Sequence, residues 1–479
     1  MKQLGILDSA FINLEHPNTP QQVGGLGIYD PSTAGGDVVR FKDVLENFEQ
    51  RLVRMPVFRT RLVEVPGGLD RPYWVTDDEF DVEYHIRHIA LPEPGDWRQL
   101  CIQVARLHSR PLDMSIPLWE CYIIEGLDNI PDLPAGSFAV YTKMHHSLVD
   151  GAGGQSFMAA LHDLEPHPAV DPTRSPREIE YRYPTLGTTE LLGKSLVNRT
   201  RNFVPNIKGL WKTAKGMADI ALKIQRDDLP PPPMDAPRTR FDDPVGPHRV
   251  FEACLFALDD FKAMKNATGT TINDVAVTVI AGAVRRYLDH YDELPMQSLA
   301  VNMPVNMRSR VGETEDNNQV GSIMGEIHTD IADPIERLYA VQQSLVGAKK
   351  YIDTPFVDPL KLPGLMLPAI AKPISRFYVD RQLTKHLPVG SAGVITNVPG
   401  PNFDLYCAGS RLVQFYCQGL LTPGGALFHA VFSCSGTVSV SITSDRDIMP
   451  DPEFYKQCLQ ASFDEMKAAC AAFAKQLQG

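Results

Sequence analysis

Apolar residues recur at three- and four-residue spacing in Val38, Phe41, Val44, Leu45, Phe48, Leu52 and Val53, which predicts a helix over 38–58. A second helix is predicted over 97–109, with Leu100, Val104 and Leu107 on one face. Between them, 61–65 and 73–75 read as short strands around the turn Pro66-Gly67-Gly68. Strands are also predicted over 120–125 and 137–144. Residues 1–185 thus read as one mixed α/β unit.

The pattern changes over 186–245. An apolar stripe through Ile207, Leu210, Ala214, Met217, Ala221 and Ile224 predicts a helix over 205–226, with the stripe expected to be used in packing. The run Pro230-Pro231-Pro232-Pro233 then stops the helix and stiffens the chain. This region reads as a crossover between two domains. Residues 246–479 read as a second α/β unit, with helices predicted over 275–288 and 453–477 and another opening at 333. Strands are predicted over 299–303, 394–398, 427–432 and 437–443. The apolar stretch 356–377 is broken by Pro359, Pro363, Pro368 and Pro373. It is expected either to line an apolar channel or to pack as an irregular wall.

Composition narrows the function. The chain has 479 residues, 43% of them hydrophobic, and a net charge of −12, which makes nucleic acid a poor partner. The eight cysteines form no C-x-x-C pair and read as small apolar residues in a reducing compartment. Asp8 interrupts the first apolar run, so no signal peptide is expected. The longest nearly apolar segment, 275–284, is far shorter than the roughly 20 residues of a membrane span. A cytoplasmic protein is expected. From Glu190 to Arg226, however, eight basic residues face only two acidic ones. That stripe is either a solvated helix face or a contact with a membrane surface or lipid inclusion.

The chemistry concentrates in His145-His146-Ser147-Leu148-Val149-Asp150-Gly151. An imidazole titrates near neutrality, so it can take a proton from a hydroxyl and return it to a leaving group. The preceding strand gives it a rigid base. Adjacent strand residues point to opposite faces, so the pair is not suited to chelating one metal. No complete G-x-S-x-G elbow, phosphate loop or dinucleotide fingerprint occurs.

The motif H-H-x-x-x-D-G resembles that of the acyltransferase superfamily of chloramphenicol acetyltransferases and peptide-synthetase condensation domains. The chain is most similar to the bacterial wax ester synthase/diacylglycerol acyltransferase family. Pro117-Leu118-Trp119, Asn273-Asp274 and Asn397-Val398-Pro399-Gly400-Pro401 match further signatures of that family. The resemblance implies an α/β fold of two chloramphenicol-acetyltransferase-like domains. Each would be a mixed sheet with flanking helices, and the active site would lie in a channel between them. It implies transfer of a long-chain acyl group from acyl-CoA to a fatty alcohol or diacylglycerol, with no cofactor and no covalent acyl-enzyme. His146 would be the base, with His145 supporting the geometry and Asp150 holding the loop, Arg308 being its candidate partner. Gly151 would allow close approach, Asn273 would be a candidate oxyanion donor, and Pro117, Leu118 and Trp119 would line the acyl site. Asn273-Asp274 could equally be a helix cap, and the prolines around Trp119 a rigid packing loop. Two other classes remain open: a condensation-type enzyme fed by a carrier protein, and a non-catalytic lipid-binding protein.

Overall fold

The computed structural model describes residues 2–35, 39–52, 55–148, 158, 161–167, 183–184, 187–233, 236–306, 320–353, 361–387 and 390–478. The first half runs β1 (Lys2–Gln3), α1 (Ile6–Leu14), β2 (Gln22–Asp30), α2 (Phe41–Leu52), β3 (Thr60–Val63) and β4 (Tyr73–Thr76). The single turn α3 (Val82–His85) follows, then β5 (Ile86–Ala90), α4 (Trp97–Ser109), β6 (Trp119–Glu125) and β7 (Phe138–His145). The helix α5 (Thr188–Gln225) leads to β8 (Arg249–Ala257), α6 (Leu258–Thr268), α7 (Ile272–His290), β9 (Ala300–Asn306), β10 (Val320–Glu326) and α8 (Pro334–Lys349). After α9 (Leu362–Leu365) and α10 (Pro368–Asp380) come β11 (Gly393–Pro399), β12 (Tyr406–Cys407), β13 (Ser410–Gln418), β14 (Leu427–Cys434), β15 (Thr437–Asp445) and α11 (Pro452–Gln478).

Two six-stranded sheets organise these elements. One has the order β12-β13-β2-β7-β6-β5, the other β10-β9-β11-β14-β15-β8. Both are mixed: β5 and β6 run parallel in the first, and β11 runs parallel to β9 and β14 in the second. The expected α/β fold of two mixed sheets with flanking helices is therefore present. The stretch 246–479 does not build only its own sheet, because β12 and β13 extend the first one beside β2. A shared core seals the junction, where Leu100 and Val104 of α4 pack with Phe251 and Ala253 of β8 and Tyr416 of β13.

Most predicted elements appear within a few residues of their expected ends. The helix expected over 38–58 is shorter, because Pro56 opens a separate 3-10 turn, Pro56–Arg59; Val38 and Val53 lie outside the described residues. The crossover helix begins at Thr188, well before Pro205, since a proline removes one hydrogen bond and a long helix can absorb it. Of its apolar stripe, Met217 and Ala221 are exposed and Ile224 is half-buried, while the side chains at 207, 210 and 214 lie outside the described residues. Of the proline-rich stretch, 356–360 with Pro359 lies outside the described residues, and the rest is less irregular than expected. Pro363 and Pro368 sit in the first turns of α9 and α10, where a missing N–H costs nothing. Seven of the eight cysteines are buried as small apolar residues. Among the described residues, no single helix is long and apolar enough to cross a membrane.

The helices α9 and α10 pack against α1, which brings the second half over the N-terminus. The approach is close. A Cβ on Gly364 would come 1.7 Å from the Ile6 carbonyl oxygen, so only glycine fits there. Asn13 Nδ2 donates to the Pro363 carbonyl at 2.8 Å across the same contact.

Candidate active site

β7 is a central strand held on both sides, opposite Gln22 at His145 and opposite Trp119 at Met144. The His145 N–H donates to the Leu118 carbonyl at 2.9 Å. Pro117, Leu118 and Trp119 are buried beneath the end of this strand. Trp119 Nε1 donates to the Phe58 carbonyl at 2.8 Å, and its ring stacks on His85 at 4.6 Å. This loop therefore braces the strand that delivers the histidine pair.

The two histidines have different surroundings, as their alternation predicts. His145 is buried. The Ser147 N–H donates to its Nδ1 at 3.1 Å, and the Ser147 hydroxyl lies 2.7 Å from the same nitrogen. A backbone N–H can only donate, so Nδ1 is an acceptor and the ring proton sits on Nε2. Nε2 donates to Glu15 Oε2 at 3.3 Å. The same carboxylate oxygen accepts the Gln21 N–H at 2.7 Å. Both ring nitrogens of His145 are thus committed, one to its own turn and one to the loop after α1.

His146 lies past the strand end and is half-buried. Its N–H donates to the Gln21 carbonyl at 2.8 Å, and its ring stacks on Phe11 of α1 with centroids 4.1 Å apart. The loop from Glu15 to Gln21 also touches the second half, where Arg249 of β8 donates to the Asn18 carbonyl. The site stands where the two halves meet.

Asn273 lies in the first turn of α7. Its Oδ1 accepts from Asn397 Nδ2 of β11 at 3.2 Å, joining two of the sequence signatures. Asp274 takes the structural alternative. Its carboxylate accepts the Thr271 N–H at 3.0 Å while its own N–H donates to the Thr271 hydroxyl, forming a capping box. Asp150, Gly151 and Arg308 lie outside the described residues.

A buried charge supports β7 two residues before the pair. The Lys143 side chain is fully buried and donates to the Leu107 and Arg110 carbonyls and to Glu120, 3.0 Å away. Burial raises the Glu120 pKa, but Lys143, the Tyr122 hydroxyl and Arg87 outweigh it and hold the carboxyl below its ordinary range. Lys143→Met should lower stability by at most about 3–5 kcal/mol, because Glu120 loses its buried cation and keeps only Tyr122 and Arg87, measured by denaturant unfolding. Adding Glu120→Gln should recover part of the loss; no recovery would assign the cost to the two carbonyls instead.

Sequence reasoning missed Glu15, Gln21 and Phe11. The signal was present in the apolar repeat Leu7, Phe11 and Leu14 ahead of Glu15-His16-Pro17, a helix followed by a proline stop. β2 also escaped notice, because Gly24, Gly25 and Gly27 weaken its strand pattern. Those glycines leave room for Tyr141, Phe415 and Tyr29; a Cβ on Gly24 would lie 2.6 Å from the Tyr141 hydroxyl.

Comparison with known proteins identifies the family and the fold. The model described as the wax ester synthase/diacylglycerol acyltransferase catalytic domain matches residues 4–276, and the WS/DGAT C-terminal domain matches 317–467. The probable diacylglycerol O-acyltransferase tgs2 of Mycobacterium tuberculosis is 31% identical over 96% of this chain and 98% of that one. A putative diacylglycerol O-acyltransferase of the same species is 32% identical over 97% and 99%. The wax ester synthase/diacylglycerol acyltransferase of Marinobacter aquaeolei VT8 superposes with a TM-score of 0.67 at 25% identity, covering 98% of this chain and all of that one. A condensation domain of the calcium-dependent antibiotic synthetase shares the fold, with a TM-score of 0.53 at 14% identity over 97% and 96% of the chains.

Proposed function

The chain belongs to the wax ester synthase/diacylglycerol acyltransferase family, and on that premise we propose that it moves a long-chain acyl group from acyl-CoA to a fatty alcohol or to diacylglycerol. The observation that carries the mechanism is the division of labour in the histidine pair. His145 has both ring nitrogens committed to its own turn and to Glu15, which suits it to supporting the geometry, and His146 takes the role of base, as the resemblance of the motif implies. The acceptor hydroxyl attacks the thioester carbonyl carbon as His146 takes its proton. The C–S bond then breaks, and the departing thiolate of CoA takes that proton back. No covalent acyl-enzyme and no cofactor is needed, because the thioester is already activated. Asn273 is the candidate oxyanion donor. Its Oδ1 is occupied by Asn397, which leaves its N–H groups for a developing negative charge.

The substrates are lipids, so the enzyme works at a membrane or lipid-inclusion surface. The basic residues of α5 supply one electrostatic contact with it. Purified protein given long-chain acyl-CoA with hexadecanol or diacylglycerol in parallel should release free CoA and form the ester. Transfer only from a carrier-protein-bound donor would move the chain to condensation-type chemistry. No transfer from either donor would leave lipid binding alone.

A further inference from the structure

The helix α10 packs inward through Pro368 and Ala371 and turns a different face outward. Ile370, Ile374 and Phe377, at four- and three-residue spacing, are 49%, 55% and 56% exposed. Leu362 and Met366, on the other side of the break at Leu367, are exposed as well. Charge accompanies this apolar stripe. Over 361–387 there are five basic residues, Lys361, Lys372, Arg376, Arg381 and Lys385, against a single acid, Asp380, in a chain whose net charge is −12. Arg376, Arg381 and Lys385 are exposed, and the Arg381 guanidinium lies 5.6 Å from the Phe377 ring. An outward apolar stripe flanked by exposed cations is the pattern of a helix that lies in the plane of an anionic membrane surface.

The helix is also tied to the site. His16 Nδ1 accepts the Asn18 N–H, so its Nε2 carries the proton and donates to Asp380 Oδ1 at 3.1 Å. His16 belongs to the same loop as Glu15, which holds His145, and Gln21, which holds the His146 backbone. The inner face of α10 packs on α1, whose Phe11 stacks on His146.

We infer that the outward face of α9 and α10 docks on an anionic phospholipid surface, placing α1, and the His146 ring stacked on its Phe11, next to the lipid headgroups. This rests on the lipid-substrate reading above and deepens it. It names the surface that meets the bilayer, one that the basic stripe of α5 does not include. The apolar stripe enters the headgroup region, while Arg376, Arg381 and Lys385 meet the anionic lipid phosphates.

The test compares the wild-type chain with I374E/F377E and with R376E/R381E/K385E, using phosphatidylglycerol and phosphatidylcholine vesicles at low salt. Wild type should sediment with phosphatidylglycerol vesicles and bind phosphatidylcholine vesicles at least tenfold more weakly. I374E/F377E should bind phosphatidylglycerol at least tenfold more weakly than wild type, and in the charge-reversal variant the preference for anionic lipid should fall well below that of wild type. Turnover of both on a short soluble alcohol should match wild type, which also shows that they fold. Turnover on diacylglycerol carried in vesicles should fall with binding. Vesicle binding by I374E/F377E within twofold of wild type would overturn the inference, as would wild-type protein that binds neither vesicle. Absence of turnover by wild type on the soluble pair would instead sink the functional reading and leave the vesicle result readable alone.

Discussion

His146→Ala should lower turnover by about 10²–10⁴-fold, the contribution of one well-placed general base, while the protein stays folded. The expectation follows from the committed hydrogen bonds of its neighbour. His145 Nδ1 accepts from Ser147, and its Nε2 donates to Glu15, so the ring at 145 holds its own turn and the loop after α1. His146 is fixed through its backbone, by Gln21, and through ring stacking on Phe11. Alanine loses the stacking contact, a cost of about 0.5–1.5 kcal/mol, which is small beside the catalytic loss. His146→Gln should recover little, because an amide cannot accept and release a proton. His145→Ala should show the opposite balance. It empties a buried position and leaves the Glu15 carboxylate without its ring donor, so stability falls along with rate. Turnover of folded His146→Ala protein within a few-fold of wild type would remove His146 from the base role.

How far the sequence could be read depended on what each element asks of local pattern. The helix over 97–109 and the hairpin of β14 and β15 carry clear periodicity and appear close to where it places them. The histidine pair was legible as chemistry because its strand and its glycine turn lie within one stretch. What surrounds it was not. Glu15 and His145 are 130 residues apart, and no local spacing announces that they meet. The joining of β13 to β2 is equally silent, since pairing between distant strands depends on the whole sheet. Trp119 was read both as a lining of the acyl site and as part of a rigid packing loop. Its side chain is buried against Phe58 and His85, as the packing reading expects.

Acid should destabilise the fold before it reaches most carboxylates, by of order 4 kcal/mol between pH 7 and pH 5. Burial holds three of the buried histidines, His108, His162 and His429, neutral. Burial pushes the His108 and His429 pKa values down to about 3 and that of His162 to about 4. The His108 Nε2–H donates to the Gly419 carbonyl while its Nδ1 faces the Tyr141 hydroxyl at 2.8 Å; His429 Nε2 faces Tyr455, and His162 Nε2 faces Tyr29. A depressed pKa means that the unfolded chain, with histidine near 6.5, binds the proton first. Unfolding therefore takes up protons between about pH 6.5 and about pH 4, and stability falls with pH across that window by about 1.4 kcal/mol per unit for each histidine. Asp242 acts in the other direction. Burial pushes its carboxyl up to about 6, so the folded state is protonated first and regains about 1 kcal/mol by pH 5. Denaturant unfolding at pH 7, 6 and 5 measures the net slope, and His429→Gln should reduce it by one proton. The effect must also be kept apart from catalysis, since a base fails when it is protonated even in a folded protein. Activity lost at pH 5.5 and regained at once on return to pH 7, with no change in the unfolding midpoint, would show that the buried histidines are not what acid attacks.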